Sequence, residues 1–455
     1  MSRRRYEVWP LILCCGCAVS TEFSPLNAAS DALRDSAKLS QQPPGDRVPV
    51  IQPWRRVTLD PEYSGAWIVA GDLDGDGKVD IVSARNVDNN DVHFTSAVVA
   101  QRLDSSVLWR WGNPKVGRKK LHHDVACQIY DWDGDGRNEV VLGTDGFLVE
   151  LDGATGKERR RLPLPKDATD CLVFANLSGN SRATDVLVKT RYTQIWAFNR
   201  AWKQLWTITM PGGHRTAHQP VPIDLDGDGR DEVMAGYAML NADGTTRWVF
   251  GSKKVDVTRG HCDCFRLLRA GKSPEEFRFV MTLCGANDIA VLDGNGKPVW
   301  EVSGHHFESV DVGRICADRP GLQLAVDIDH RPWGEGPVWV FDENGQRLAQ
   351  IMTDYARHHA LVDWTGDGAD EILIAEARGL FDGQGRRVST FELEDTGTPE
   401  TAERLALVGD MTGDGVPDVL LTTRSMAAVY IYKNESGRKP ARPVPLGTEV
   451  NFTLY

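Results

Sequence analysis

Two kinds of chemically able residue recur along this chain of 455 residues, and each keeps to its own place in a repeat. Carboxylates gather in five copies of one loop: DLDGDGKVD (72–80), DWDGDGRNE (131–139), DLDGDGRDE (224–232), DWTGDGADE (363–371) and DMTGDGVPD (410–418). Calcium takes roughly six to eight oxygens in flexible geometry. Positions 1, 3, 5 and 9 of this loop offer side-chain oxygens, position 7 offers a carbonyl, and the glycines allow a tight wrap. The predicted ligands are Asp72, Asp74, Asp76 and Asp80; Asp131, Asp133, Asp135 and Glu139; Asp224, Asp226, Asp228 and Glu232; Asp363, Thr365, Asp367 and Glu371; and Asp410, Thr412, Asp414 and Asp418. Thr365 and Thr412 each replace an acid, which weakens those two sites. A strand-like run follows every copy, so these are not EF-hands. About five structural Ca2+ ions are expected, each pinning a turn.

The second kind is imidazole. His122 and His123 open a strand just before the second acidic loop, and His218, His261, His305, His306, His358 and His359 stand in the same relation to later ones. His93, Arg191, Tyr192, Asn287, His330, Arg331, Trp333, Arg378 and Arg424 fall instead between the second and third strand-like runs of their repeats.

The repeat explains the spacing. Three degenerate copies (from 176, 269 and 314) join the five, so turns begin at 72, 131, 176, 224, 269, 314, 363 and 410. Steps of 45–49 residues, with one of 59 where blade 1 carries the insertion ARNVDNNDVHFTS, fit four short strands and their turns. That is one propeller blade. The fold class predicted is all-β: an eight-bladed β-propeller of four-stranded blades. Gly-rich turns such as DGATGK and DGNGKP precede each fourth strand, several of which end on tryptophan: Trp109, Trp206, Trp248 and Trp300. Either the early WRRVTL or the terminal NFTLY is expected to close the ring.

In such a ring the acidic loops lie on one face. The strand starts and the loops between second and third strands lie on the other, near the axis. The histidines, arginines, Tyr192 and Trp333 then converge on a cationic pocket suited to an anionic, hydroxyl-rich ligand such as a uronate polysaccharide. If such a pocket is catalytic, β-elimination fits it. A cation neutralises the carboxylate, a neutral His or a Tyr takes the C5 proton, and a second group protonates the leaving oxygen.

Composition is that of a packed globular protein, with 41% hydrophobic and 25% charged residues. A net charge of -12 argues against nucleic acid. Arg3–Arg5 followed by PLILCCGCAVS reads as an export signal over residues 1–20, with Cys17 as an alternative lipid-anchor site. Residues 21–53 read as a flexible linker and 54–455 as the propeller. The protein is expected to be a secreted, periplasmic or cell-surface monomer with no transmembrane segment. Of the six later cysteines, Cys264 and Cys284 form the best candidate disulfide, against the alternative of buried thiols.

The stretches GHHFESVDVGRICADRPGLQLAV (304–326), VPIDLDGDGRDEVMAGYAMLNADGT (221–245) and ARHHALVDWTGDGADEILIA (356–375) resemble the rhamnogalacturonan lyases of polysaccharide lyase family 11, within a broader FG-GAP/VCBS-like class of calcium-binding propellers. The resemblance implies an eight-bladed propeller with several calcium ions, cleaving a rhamnose–galacturonate backbone by elimination on the propeller face. It covers roughly 65–455 and matches His261, His305 and His306 to the family's Gly–His strand starts. That family carries a β-sandwich ahead of the propeller, where this sequence has the linker. With Arg191 and Tyr192, the three histidines are the candidate catalytic residues. His122, His123, His330, Arg331, Trp333, His358, His359, Arg378 and Arg424 are the candidate substrate-binding residues. A non-catalytic carbohydrate-binding or adhesion propeller is the alternative. A quinoprotein-like redox propeller, suggested only by generic LDGNGKPVW turns, is the third reading.

Overall fold

Every predicted turn begins where an innermost strand ends. The computed structural model describes residues 48–455 except 90–91, 122–123, 125–126, 257, 330–335, 354–356 and 402. The innermost strands of the eight blades are Trp67–Gly71, Cys127–Tyr130, Cys171–Ala175, Thr216–Ile223, His261–Arg269, His306–Gly313, His359–Val362 and Ala406–Gly409. In blades 1–6 each starts a four-stranded antiparallel sheet running outward in chain order, and blades 7 and 8 differ only in strands added from the early segment, so the fold is the expected eight-bladed propeller. The second and third strands are short apolar runs such as DVLVK and QIWAF in blade 3, almost wholly buried because blades cover both their faces. The outermost strands alternate: Glu158–Pro163 (ERRRLP) keeps its charges toward solvent, which discourages pairing at the rim. Among the described residues no helix is long and apolar enough to cross a membrane.

The early segment closes the ring. Arg55–Thr58 pairs antiparallel with Ala428–Tyr432, in the register Val57 to Val429, as the outermost strand of blade 8. The sheets also reach back into the expected linker, since Val50–Ile51 runs parallel to Arg387–Phe391 on blade 7. The terminal NFTLY does not close the ring. It lies against the innermost strands instead: Asn451 exchanges two 2.8 Å hydrogen bonds with the Phe174 backbone, Gln219 donates to the Asn451 carbonyl (2.7 Å), and Ser309 donates to that of Leu454 (3.0 Å). Innermost strands turn an unpaired backbone edge toward the axis, and the terminal segment meets it through side chains such as Asn451 and fills the channel without adding a strand. A cavity of ≈ 1090 Å3 runs beside this tail and includes His358 and His359, but not Tyr192, His218, His261 or His306.

The recurrent tryptophans lock neighbouring blades. A Cβ added to Gly156, Gly244, Gly296 or Gly345 would stand 2.5, 2.6, 2.3 or 2.9 Å from the ring of Trp109, Trp206, Trp248 or Trp300 on the preceding blade. Trp109, Trp206 and Trp300 also donate their indole N–H to carbonyls of the same turns, at 2.6–2.9 Å. Gly244 has φ +83°, so alanine there brings both a clash and left-handed strain. Gly244→Ala is expected to lower stability by about 2–4 kcal/mol in urea unfolding; a loss under about 0.5 kcal/mol, the usual range of an inconsequential surface change, would show that the lock is not needed.

The expected Cys264–Cys284 disulfide does not form, and all six described cysteines are free thiols. In the sheet Cys284 pairs with His261, whereas Cys264 sits further along that strand with its sulfur facing the Val310 carbonyl (3.6 Å). A buried thiol acting as a small apolar group suffices there.

Candidate active site

Residues two apart on a strand share a face. On the innermost strand of blade 5 this aligns His261 with Asp263 (Nε2 to Oδ1, 3.1 Å), and on that of blade 6 it aligns His306 with Glu308 (Nε2 to Oε2, 2.6 Å). The innermost strands of blades 4, 5 and 6 all break register near this end: between Thr216 and Val221, Cys262 and Phe265, and Phe307 and Val310. Bulges re-aim side chains, and three in adjacent strands gather imidazoles and carboxylates that a regular ladder would spread apart.

His218 is the hub. Its Nδ1 meets Asp124 at 2.8 Å, its Nε2 lies 3.0 Å from the Nε2 of His261, and Asp263 stands 3.5 Å away. Asp124 also receives Arg191 (3.1 Å). His261 donates from Nδ1 to the Arg259 carbonyl (3.2 Å), which leaves Nε2 as its lone-pair nitrogen. Burial drives its imidazole down to about 4, so it is neutral at physiological pH. Tyr192 packs over His261 with ring centroids 4.7 Å apart, and the guanidiniums of Arg191 and Arg215 lie 5.1 and 4.8 Å from the Tyr192 ring. Tyr455, from the terminal segment, stacks on His218 at 4.1 Å and forms the floor.

Two carboxylates part ways beside this hub. Burial and the neighbouring Glu308 charge push Asp263 well above the usual range. Burial would raise Glu308 as well, but the His306 hydrogen bond and the Arg357 charge overcome it and hold it down at about 2. Paired groups whose environments push them apart suit acid and base roles. Asp263 Oδ2 is buried with no hydrogen-bond partner. Such a carboxylate needs a proton or a cation. Asp263, Cys284 and His306 bring three ligand atoms within 4.8 Å of one another, and His218, His261 and Asp263 do the same, so the residues fit a divalent cation.

A buried ion pair props the neighbouring blade. Lys189 and Asp170 meet at 2.6 Å with both side chains almost wholly buried, and His93 contacts the same carboxylate at 2.6 Å. Lys189→Met strands part of that charge and is expected to cost about 3 kcal/mol in urea unfolding. A loss below about 1 kcal/mol would mean that His93 alone neutralises Asp170.

Of the predicted catalytic residues, Arg191, Tyr192 and His261 come together, and His306 joins them through Asp263. His305 does not: its ring lies edge-on to Trp339 at 4.8 Å. Among the predicted substrate-binding residues, His359 is buried on Asp311 (2.8 Å) and the Ser309 carbonyl (3.3 Å), and His358 on Glu403 (2.6 Å). Arg378 donates to the Leu393 carbonyl (3.1 Å), and Arg424 joins Glu376 and Asp395 on the rim of blades 7 and 8. His122, His123, His330, Arg331 and Trp333 lie outside the described residues. The acidic partners Asp124, Asp170, Asp263 and Glu308 were not among the predicted site residues. The His-x-Asp and His-x-Glu spacing at 261–263 and 306–308 was the available signal.

The acidic turns occupy the opposite face. Asp72, Asp74 and Asp80 bring ligand oxygens within 4.8 Å of one another, as do Asp131, Asp133 and Glu139. In each of the five loops the ninth residue accepts from the second amide: Leu73 to Asp80, Trp132 to Glu139, Leu225 to Glu232, Trp364 to Glu371 and Met411 to Asp418, at 2.8–3.2 Å. Arg102, Arg159 and Arg247 reach into the first three loops at 2.7–3.0 Å. Even so, burial first and then neighbouring carboxylates push Asp80 and Glu139 up to about 7. The donor set fits a hard cation.

Eight four-stranded blades gather imidazoles, carboxylates, guanidiniums and a tyrosine at one axial mouth. The chain belongs to rhamnogalacturonan lyase family 11, matching its C-terminal domain over residues 47–157 and 184–440. It is 24% identical over 477 residues to the rhamnogalacturonan endolyase YesW of Bacillus subtilis, covering 86% of this chain and 73% of that one. It is also 24% identical over 401 residues to the rhamnogalacturonan exolyase YesX of the same organism, covering 72% of this chain and 63% of that one. The rhamnogalacturonan lyase PL11 of Bacillus licheniformis shares the fold, with a TM-score of 0.58 at 19% identity over 86% of this chain and 76% of that one.

Proposed function

We propose that this protein is an exported, calcium-stabilised lyase that cleaves rhamnogalacturonan-type acidic polysaccharide by β-elimination. The observation that carries the reading is the meeting of a neutral imidazole (His261), a phenol (Tyr192) and two guanidiniums (Arg191 and Arg215) at one mouth of the propeller. Family membership supports the substrate class.

In this reading Arg191 and Arg215 bind the uronate carboxylate, which delocalises charge away from C5 and acidifies its proton. His261 takes that proton at Nε2. The C4–O bond breaks as the C4–C5 double bond forms, and the Tyr192 phenol gives its proton to the departing glycosidic oxygen. Burial raises the Tyr192 phenol above its ordinary value, so at neutral pH it is a donor rather than a base. Asp124 anchors both His218 and Arg191, which fixes the distance between the carboxylate clamp and the base. A divalent cation held by Asp263, Cys284 and His306 would add positive charge against the same carboxylate. Calcium in the acidic loops would stabilise turns on the far face and take no part in the reaction.

The test is to incubate the protein, with calcium, with rhamnogalacturonan, homogalacturonan and a neutral galactan, and to follow ultraviolet absorbance from the new double bond. A rise on rhamnogalacturonan alone supports the reading. Binding without any rise would instead make this a carbohydrate-binding propeller.

A further inference from the structure

On the same face as the histidine cluster, the link from blade 1 to blade 2 carries the run KVGRKK (115–120) in a chain of net charge -12. It lines two adjoining clefts. One, of ≈ 600 Å3, is bounded by Pro61, Glu62, Arg85, Pro114, Lys115 and Gly117. The other, of ≈ 380 Å3, is bounded by Arg85, Gly117, Arg118, Lys119, Lys120 and Glu400. Arg85 and Gly117 belong to both, so the two form one groove.

The groove is built. Backbone hydrogen bonds tie Arg118 to Asn86 in both directions, at 3.1 and 2.9 Å, and hold the basic run on the long second strand of blade 1. Arg85 donates to the carbonyls of Ser64 (3.1 Å), Pro114 (3.0 Å) and Pro61 (3.4 Å), so it is positioned without being neutralised. Among the described residues Arg85, Lys115, Arg118 and Lys119 have no ion pair, and Lys115 and Arg118 are exposed. Burial and then the Arg85 charge lower the Lys119 ammonium, outweighing the opposing charges of Glu400 and Asp60. The groove also leads to the centre. Lys120 meets Asp88 (3.1 Å), Asp88 meets His93 (3.2 Å), and His93 contacts Arg191 (3.1 Å).

We propose that this groove is an outlying subsite for the carboxylates of an extended uronate polysaccharide, engaging the chain while one residue occupies the central site. The proposal rests on the lyase reading and adds where the rest of the polymer lies. Arg85, Lys115, Arg118, Lys119 and Lys120 outnumber Glu62 and Glu400 in the lining; such a net positive surface in an acidic protein suits a repeating polyanion, and its open setting suits a chain that passes through rather than a small molecule that is enclosed.

The variant that tests it is Lys115→Ser/Arg118→Ser in the full chain, with Lys157→Ser/Lys203→Ser on exposed turns of the opposite face as control. On polymeric rhamnogalacturonan the KM should rise about 3–10-fold with kcat unchanged, from two exposed charge contacts of modest strength. On a tetrasaccharide both constants should hold, and the control should change neither. Mobility in gels containing the polymer gives a readout independent of turnover: retardation should weaken in the double variant and persist in the control. An unchanged KM and unchanged retardation would overturn the groove. Equal retardation by dextran sulfate would overturn the uronate assignment, marking a general polyanion surface. A protein that cleaves nothing but loses retardation in the double variant would retain the groove while the lyase reading falls.

Discussion

Alanine at His261 should cut the rate of elimination about 10²–10⁴-fold, the range for removing a positioned general base, with little change in far-ultraviolet circular dichroism. The imidazole is buried, neutral and aimed by the Arg259 carbonyl, and its Nε2 faces His218 and Asp263. His218 is the positioning partner in this reading, held by Asp124 at Nδ1 and stacked on Tyr455. Tyr192→Phe should show a smaller loss, since a phenol that only protonates the leaving oxygen can be bypassed by water. The check is kcat/KM on rhamnogalacturonan for both variants. A His261→Ala protein within about tenfold of the parent, short of what a positioned base contributes, would remove His261 from the reaction.

Calcium removal should have the largest effect on stability. A ligand present at 100 times its Kd contributes about 2.7 kcal/mol per site, and five loops share the predicted ligand pattern. Chelation leaves eighteen predicted ligand carboxylates, several of them partly buried, facing one another with only scattered arginines between. Metal binding must displace protons from Asp80 and Glu139, which titrate at about 7 without an ion. The sign follows for the metal-free protein. Each carboxylate is raised above its unfolded value near 4, so its stabilisation is present below that value and lost as pH climbs through about 7. With calcium the order reverses, because deprotonation favours the ion. Thermal unfolding with and without chelator at pH 5.5 and 8 should show a larger calcium effect at pH 8. Equal melting temperatures with and without chelator at both pH values would show that the loops hold no stabilising ion.

The architecture was legible because the repeat is written in side-chain chemistry. Eight turns, including three without their acids, fall where the spacing from 72 to 410 puts them, and the tryptophans that end fourth strands do pack on glycines of the following blade. Ring closure was a choice between two apolar segments that pattern alone could not separate. It was settled by the free edge on Ala428–Tyr432, which Arg55–Thr58 completes. The candidate site was half legible. Imidazoles stood out as rare residues at repeated positions, and three of the five catalytic candidates meet directly. Their carboxylate partners did not stand out, because acids are common and the bulges that aim Asp263 and Glu308 leave no mark in a single sequence. His305 and His359 show the converse: neighbours in sequence to His306 and His358, they pack respectively on Trp339 and on Asp311. Consecutive residues of extended chain point to opposite faces, so a His–His pair can place at most one imidazole in the site: His306 reaches it, whereas His358 turns to Glu403.

The central claim is that the mouth of this propeller breaks a glycosidic bond by elimination. The most direct measurement is a mass spectrum of rhamnogalacturonan products formed in ¹⁸O-labelled water. The account predicts oligosaccharides ending in an unsaturated uronate, lighter by one water than hydrolysis products and free of label. Incorporation of ¹⁸O at the cleaved linkage would show hydrolysis and contradict the roles given to His261 and Tyr192.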